Sequence, residues 1–143
     1  PDRDRKIYEL YWETNRDVPN EGEESEAPGF EAWLGWGLND PSVLQDAYFV
    51  AVRGTEYIGL RELGTYGTGD ALLGSLLGVR RAYRKRGVGL AMQLRGIAYA
   101  REHGYRQLKT CTAVQNAPMQ ALFNKLGYAR DPEWQQCQKD LRR

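Results

Sequence analysis

A basic, glycine-containing segment at residues 84–89, with the sequence RKRGVG, is the clearest place where this chain could do chemistry. It lies between an apolar run that ends at Val79 and a second run with helical spacing. The first N–H groups of a helix have no partner within the helix, and the helix dipole adds positive charge, so they attract anions. Glycines let phosphate oxygens approach the backbone, and basic side chains add formal charge. The segment therefore predicts a phosphate-binding loop formed by Arg84, Lys85, Arg86, Gly87 and Gly89.

Two common nucleotide-binding loops do not fit this segment. The dinucleotide fingerprint needs a third small residue where this chain has Met92, and an acidic residue about 20 positions further on. A Walker loop needs Gly-Lys followed by Ser or Thr, which is also absent. Taken alone, the segment leaves two alternatives open: a phosphate site of another kind, or an ordinary exposed turn.

The wider sequence around the loop resembles a known family. Val79 followed by RRAYRKRGVGLA is similar to motif A of the GNAT superfamily of N-acetyltransferases, which reads Arg or Gln, two residues, Gly, one residue, Gly or Ala. The matching residues are Arg84, Gly87 and Gly89. Downstream, NAPMQALFNKLGYARDPEW resembles the family's next motif, in which an Asn opens a helix that ends in Leu-Gly-Tyr; Asn116 and Tyr128 correspond. The resemblance covers about residues 72–139.

The resemblance implies acetyl-coenzyme A (acetyl-CoA) as co-substrate and a place for it on this chain. The pantetheine arm would lie against the backbone of Leu77 and Val79, where Gly74 and Gly78 leave room. The pyrophosphate would lie along residues 84–90. The implied cofactor-binding residues are Val79, Arg84, Lys85, Arg86, Gly87, Val88, Gly89, Leu90, Asn116 and Phe123.

The resemblance also implies that an acceptor amine attacks the thioester directly, while a backbone N–H near Leu77 stabilises the developing oxyanion. Members of the family commonly have a Tyr at the position of Phe123, which protonates the leaving thiolate. Phenylalanine has no proton to donate, so this chain departs from the pattern. Tyr128 and Cys111 are the alternative donors that the sequence offers.

Two carboxylates are candidates for the base that accepts the amine proton. Glu62 lies in a predicted strand and Asp70 precedes the next one, although carboxylates in such positions more often only face water. The resemblance thus implies an N-acetyltransferase with Leu77, Glu62 and Tyr128 as candidate catalytic residues. The alternative, which Phe123 favours, is a catalytically inactive acyl-CoA-binding domain that serves as a sensor or as one half of a tandem protein.

Hydrophobic periodicity predicts the elements that position these residues. Predicted helices cover 2–15, 30–38, 89–103 and 116–126, and predicted strands cover 47–53, 56–63, 71–79, 107–112, 128–129 and 134–139. With the resemblance, this order gives an α/β (α+β) fold: a mixed, mostly antiparallel, twisted sheet flanked by helices, whose first strand is missing or lies upstream of Pro1. We expect one domain over residues 1–143, with the acceptor side in 1–70 and the acetyl-CoA side in 71–143.

Composition and charge exclude several classes of function. A net charge of +1 argues against nucleic acid as partner, and no apolar run reaches the roughly 18 residues of a membrane helix. Cys111, Cys137 and the single histidine His103 do not have the spacing of a metal site, so we expect no metal. We therefore expect a cytoplasmic protein whose partners are a small-molecule or peptide amine and either a second copy or a second GNAT domain.

Two further features have both a structural and a functional interpretation. Aromatic residues at helical spacing near the start favour core packing over an acceptor pocket; they are Tyr8, Tyr11, Trp12, Trp33 and Trp36. The acidic run over residues 21–26 could attract a cationic amine, but such runs usually form solvated loops.

Overall fold

The computed structural model contains a four-stranded sheet in the order β1-β2-β3-β4 and describes residues 2–18, 26–67 and 69–130. The strands are β1 (Val43–Arg53), β2 (Glu56–Tyr66), β3 (Ala71–Val79) and β4 (Gln107–Thr110). Short turns join the first three strands, which are antiparallel, whereas β4 runs parallel to β3. A parallel pair needs a long crossover connection, and a helix supplies it here.

Within the described ranges, four α-helices accompany the sheet: α1 (Asp2–Asn15), α2 (Phe30–Trp33), α3 (Val88–Glu102) and α4 (Ala117–Lys125). A π-helical turn, Leu34–Leu38, extends α2, and a 3-10 turn, Arg81–Tyr83, follows β3. A glycine in the left-handed conformation ends both α3 and α4. At Gly104, for example, the N–H of Tyr105 reaches back to the carbonyl of Ala100 at 2.9 Å, which is the Schellman pattern.

The sheet is covered on both faces. On one face, Leu10 of α1 packs with Leu60 and Leu76, and all three are buried. On the other face, Tyr99 of α3 packs with Leu63. Side chains alternate between the faces along a strand, so odd-numbered and even-numbered residues of the central part of β2 have different neighbours. Residues 61 and 62, which belong to the candidate site, therefore lie on opposite faces of the sheet.

The structure confirms the predicted fold class, a mixed and mostly antiparallel sheet flanked by helices. The helices and the three long strands lie where periodicity placed them, although β1 begins at Val43, earlier than predicted. The strand predicted at 128–129 does not form, because these residues follow the glycine turn that ends α4. The strand predicted at 134–139, Cys137 and the acidic residues at 21–24 lie outside the described residues.

The early aromatic residues form mainly core, as the helical spacing favoured. Trp33 is fully buried and lies with its ring centroid 5.5 Å from that of Tyr8 and 5.7 Å from that of Tyr11. Trp12 is also buried, whereas Trp36 is 49% exposed and meets Trp12 edge to face. The cluster fixes α1 and α2 against each other and leaves Trp36 as its exposed margin.

Candidate functional site

The predicted phosphate loop has the geometry of an anion site at a helix N-terminus. Gly87 is the N-cap of α3, with φ of 84° in the left-handed region, and no side chain caps the helix. The first helical hydrogen bond runs from the N–H of Ala91 to the carbonyl of Gly87 at 2.9 Å. The N–H groups of Val88, Gly89 and Leu90 therefore have no partner within the helix. They are free to donate to an anion.

The basic residues of the loop differ in whether they contact other parts of the protein. Arg84 donates from Nε to the carbonyl of Val79 at 2.8 Å and from Nη2 to Asp17 at 2.6 Å. Arg81 also binds Asp17, and hydrogen bonds, first from Arg81 and then from Arg84, hold the pKa of this carboxyl below its ordinary value. Arg84 thus ties the loop to the end of α1. Lys85, by contrast, makes no ion pair with any described residue.

We expect Arg86→Gln to weaken binding of CoA about fivefold at low salt, since the exposed charge near the free N–H groups attracts phosphate. The loss should shrink as salt is raised, because mobile ions screen an exposed charge. The matched control is Arg101→Gln, which removes the same charge at the far end of α3. Titration calorimetry at two salt concentrations checks this, and equal losses in both variants would argue against a specific role.

β3 and β4 diverge just before the loop. Their last paired residues are Gly74 and Thr110, after which β4 ends and β3 continues to Val79. The N–H of Arg80 bonds to the carbonyl of Ile58 in β2 at 2.9 Å, and backbone groups alternate in direction along a strand. Leu77 and Val79 therefore turn their backbone groups away from β2. These groups edge the gap between β3 and β4.

A cavity of about 60 Å³ lies in this gap. The segment after β4 and the helix α4 form one wall, and β3 forms the other. Several candidates from the sequence line it: Leu77, Cys111, Asn116 and Phe123. Asn116 also caps α4, since its side-chain oxygen accepts from the N–H of Met119 at 3.4 Å. The structure thus brings these four candidates together around one small cavity beside β3.

The two glycines within β3 serve a different purpose from the predicted one. A Cβ at Gly74 would overlap the guanidinium of Arg61, and a Cβ at Gly78 would overlap the side chain of Thr14. From the sequence, these two glycines were interpreted as making room for the pantetheine arm of acetyl-CoA. That interpretation was wrong, because protein side chains from the two faces of the sheet fill both of these spaces.

Glu62 lies on the α1 face and is buried at 9% exposure. It is opposite Tyr48 in β1, and on its other side β3 forms a bulge between the residues that pair with Arg61 and Leu63. The pKa of Glu62 is raised to about 7, mainly by burial; the charge of Arg61 lowers it and that of Asp40 raises it. A carboxyl that titrates near neutral pH suits a general base.

Asp70, the other candidate base, is separated from this region. It precedes the first residue of β3, and its carbonyl accepts from the N–H of Arg106 at 2.8 Å. Leu77 lies seven positions further along the strand, which at about 3.3 Å per residue is roughly 20 Å away. Of the two carboxylates, only Glu62 lies beside the bulge of β3.

Comparison with known protein families identifies the family of this chain. The model of the acetyltransferase (GNAT) family matches residues 5–128, most of the chain. The chain belongs to the GNAT acetyltransferase family. The family transfers acetyl groups from acetyl-CoA, so the match confirms the family and the co-substrate that the sequence motifs implied. No curated protein sequence matches the chain.

Solved structures of other proteins share the fold. A transcriptional regulator from Bacillus halodurans C-125 is 19% identical, with a TM-score of 0.73 and 94% of each chain covered. The aminoglycoside N-acetyltransferase AAC(6')-Iy, bound to a bisubstrate analogue of CoA, is 15% identical with a TM-score of 0.69, covering 97% of this chain and 92% of its own. AAC(6')-IG from Acinetobacter haemolyticus is 14% identical with a TM-score of 0.66, covering 96% and 92%. At these identities the likeness shows the fold alone.

The residues present on this GNAT chain fit acetyl-CoA. Free N–H groups at the start of α3 suit a pyrophosphate, and the gap between β3 and β4 offers backbone groups and a cavity for the arm. Within the described ranges, no cluster of His, Cys, Asp or Glu could hold a metal ion. The same described parts contain no helix that is both long and apolar enough to span a membrane.

Phe123, at the position where the resemblance implies an acid, has no proton to donate, and Tyr128 packs against its ring. Tyr128 follows Gly127, and its N–H bonds to the carbonyl of Phe123 at 3.0 Å, so its ring packs on Phe123 as part of the helix end. Its hydroxyl accepts from Gln93 at 2.6 Å, and burial raises its pKa. Tyr128 is not among the described residues that line the cavity, so its role as proton donor stays a prediction.

Arg61 and Gln93 are the polar residues that sequence reasoning missed. Arg61 is 1% exposed, and its Nε and Nη2 have no hydrogen-bond partner among the described residues. Gln93 is fully buried in α3, and its side-chain oxygen is likewise unpartnered in the described chain. A buried donor without a partner costs about 1–3 kcal/mol. The only sequence signal was Gly74, the glycine within a strand that makes room for Arg61.

Proposed function

We propose that this chain transfers the acetyl group of acetyl-CoA to the amine of an acceptor that approaches from the α1 face of the sheet. The observation that carries the proposal is the uncapped start of α3 after Gly87, beside the gap between β3 and β4. Acetyl-CoA supplies an activated acetyl group, a thioester whose sulfur leaves with the bonding electron pair. The protein supplies binding, orientation and proton transfer.

Each candidate residue has a role that its position supports. The N–H groups of Val88, Gly89 and Leu90 bind the pyrophosphate, with Lys85 and Arg86 as nearby charges. The backbone of Leu77 and Val79 holds the arm. The N–H of Leu77 faces the gap and stabilises the oxyanion of the attacked carbonyl, a contribution of about 2–4 kcal/mol in other enzymes.

Glu62 accepts the proton of the attacking amine, directly or through one water. Its position supports this role, because it lies beside the bulge of β3 on the face opposite to α3. With a pKa of about 7, the carboxyl is substantially ionised at neutral pH and still basic enough to take a proton. Tyr48, its cross-strand neighbour, has an unpartnered buried hydroxyl and edges the same region.

We also propose that residues 1–143 act as one domain in which the first half faces the acceptor and the second half binds acetyl-CoA. Contacts between the halves support this: Asp17 at the end of α1 binds Arg84, and Thr14 fills the space at Gly78. An amine acceptor is consistent with the aminoglycoside acetyltransferases among the structural neighbours. A second copy or a second GNAT domain as partner stays a prediction.

Calorimetry with acetyl-CoA tests the proposal, followed by release of free CoA thiol with a panel of small amines and peptides. We expect binding in the micromolar range and amine-dependent release of thiol. Absence of binding at millimolar acetyl-CoA would reject the proposal. Binding without release for any amine would instead support an inactive CoA-binding domain.

A further inference from the structure

Arg61 lies directly beneath the point where β3 and β4 separate. The space that its guanidinium fills is at Gly74, and Gly74 pairs with Thr110 in the last rung between the two strands. The hydroxyl of Thr110 donates to the carbonyl of Gly74 at 3.1 Å and closes that rung. The guanidinium is therefore fixed at the closed end of the gap, on the α3 face.

The guanidinium is buried but not satisfied. Its Nε and Nη2 have no partner among the described residues, and the side chain lines the same 60 Å³ cavity as Phe123. Arg61 and Phe123 therefore both border the space that a group bound in this cavity would occupy. Arg61 thus adds a cation without a hydrogen-bond partner at Nε and Nη2 to the cavity that Phe123, at the position of the family's usual proton donor, also lines.

Arg61 carries a positive charge that no neighbouring carboxylate of the described residues neutralises by an ion pair. Burial is the main cause that lowers the pKa of Arg61, partly offset by electrostatic interaction with Tyr128 and Glu62; the resulting pKa is about 10, so the guanidinium is protonated at neutral pH. Glu62 extends to the opposite face of the sheet, and Cys111 lines the cavity as a free thiol. In the described structure, no carboxylate makes an ion pair with Arg61.

We propose that the guanidinium of Arg61 stabilises the thiolate that leaves from acetyl-CoA, and so takes the place of the acid that Phe123 cannot provide. This inference rests on the proposed function. In the step, the amine nitrogen bonds to the acetyl carbon, the carbon–sulfur bond breaks, and its electron pair leaves on sulfur. The amine proton goes to Glu62, while the sulfur stays anionic beside Arg61 until it takes a proton from solvent.

Titration of the thiol of bound CoA tests the inference without turnover. The ultraviolet absorbance of the thiolate is followed against pH for protein saturated with CoA, and the same titration with desulfo-CoA removes contributions from Cys111 and tyrosines. A free thiol has a pKa of about 8.5. We expect bound CoA to titrate at least about one pH unit lower, because a neighbouring cation favours the thiolate.

Arg61→Met keeps an unbranched side chain that can be buried and removes the charge of Arg61. In this variant we expect the thiol of bound CoA to titrate near or above its free value, while the affinity for desulfo-CoA is unchanged. An unchanged thiol pKa in Arg61→Met would overturn the inference. If this variant does not fold, Arg61→Lys keeps a charge, and the unaltered protein alone still decides: a bound thiol pKa that is not lowered would overturn the inference.

Steady-state kinetics give a second, independent readout. Arg61→Met should lower kcat about a hundredfold, and adding Phe123→Tyr should restore part of the loss by supplying a proton donor. A purely structural Arg61 predicts no rescue, so absence of rescue counts against the inference. Failure of desulfo-CoA to bind the unaltered protein would instead reject the proposed function itself.

Discussion

Gly87→Val is expected to weaken binding of acetyl-CoA by about a hundredfold. At φ of 84°, Gly87 occupies the left-handed region, which a β-branched residue reaches only with strain of about 1–3 kcal/mol. Relief of that strain reorients the N–H groups at the start of α3, and the hydrogen bonds to pyrophosphate are lost together. Titration calorimetry measures the affinity, and each 1.4 kcal/mol lost is a tenfold decrease.

Gly104→Val is the matched control for this change. Gly104 has φ of 76° and, like Gly87, has open space where a Cβ would be, but it lies at the other end of α3. Both variants should lower the melting temperature by a similar amount. Only Gly87→Val should lose affinity for acetyl-CoA, and equal affinities in the two variants would show that the loop does not bind the pyrophosphate.

The loop could be predicted from sequence because its features are local. A strand, a basic turn, two glycines and a helix follow one another along the chain, and each leaves its own pattern. The same holds for α3, where Gly104 correctly marked the end of the helix. For the π-helical turn Leu34–Leu38, by contrast, apolar spacing gives no warning, because a single i→i+5 turn is too short to leave a period of its own in the sequence.

The polar residues between the sheet and the helices could not be predicted in the same way. In the sequence EYIGLREL, Arg61 and Glu62 look like ordinary exposed residues of a strand, yet both are buried. Their environments depend on non-local pairing: Gly74 makes room for Arg61, and the bulge of β3 lies beside Glu62. Gly74 and Gly78 do leave room, as the sequence indicated, but the side chains that fill this room come from distant parts of the chain.

In the proposed mechanism, two neighbouring residues of β2 act on opposite faces of the sheet. Arg61 extends toward α3 and the gap in which the thioester would lie, while Glu62 extends toward α1. A reaction in which an amine attacks from one side and a thiolate leaves on the other is assisted by a base near the amine and a cation near the sulfur. The alternation of a single strand provides this arrangement, which gives Glu62 a testable role separate from that of Arg61.

Glu62→Gln should lower kcat about a hundredfold to a thousandfold while leaving the affinity for acetyl-CoA unchanged, because the amide cannot accept the amine proton. The base works only when ionised, and its pKa is about 7. The kcat/KM of the unaltered protein should therefore rise with pH below about 7 and level off above it. In Glu62→Gln this limb of the profile should disappear.

Unfolding experiments across the same pH range give a check that needs no substrate. The folded pKa of Glu62 is about 7 and the ordinary value is 4.5, so only the unfolded state ionises between them. Stability should fall as pH rises through this window, by at most about 1.4 kcal/mol per unit, and Glu62→Gln should remove that decline. Glu9→Gln, on the exposed side of α1, should change neither the decline nor the rate profile. A rate profile that keeps its limb in Glu62→Gln would assign the base to another group.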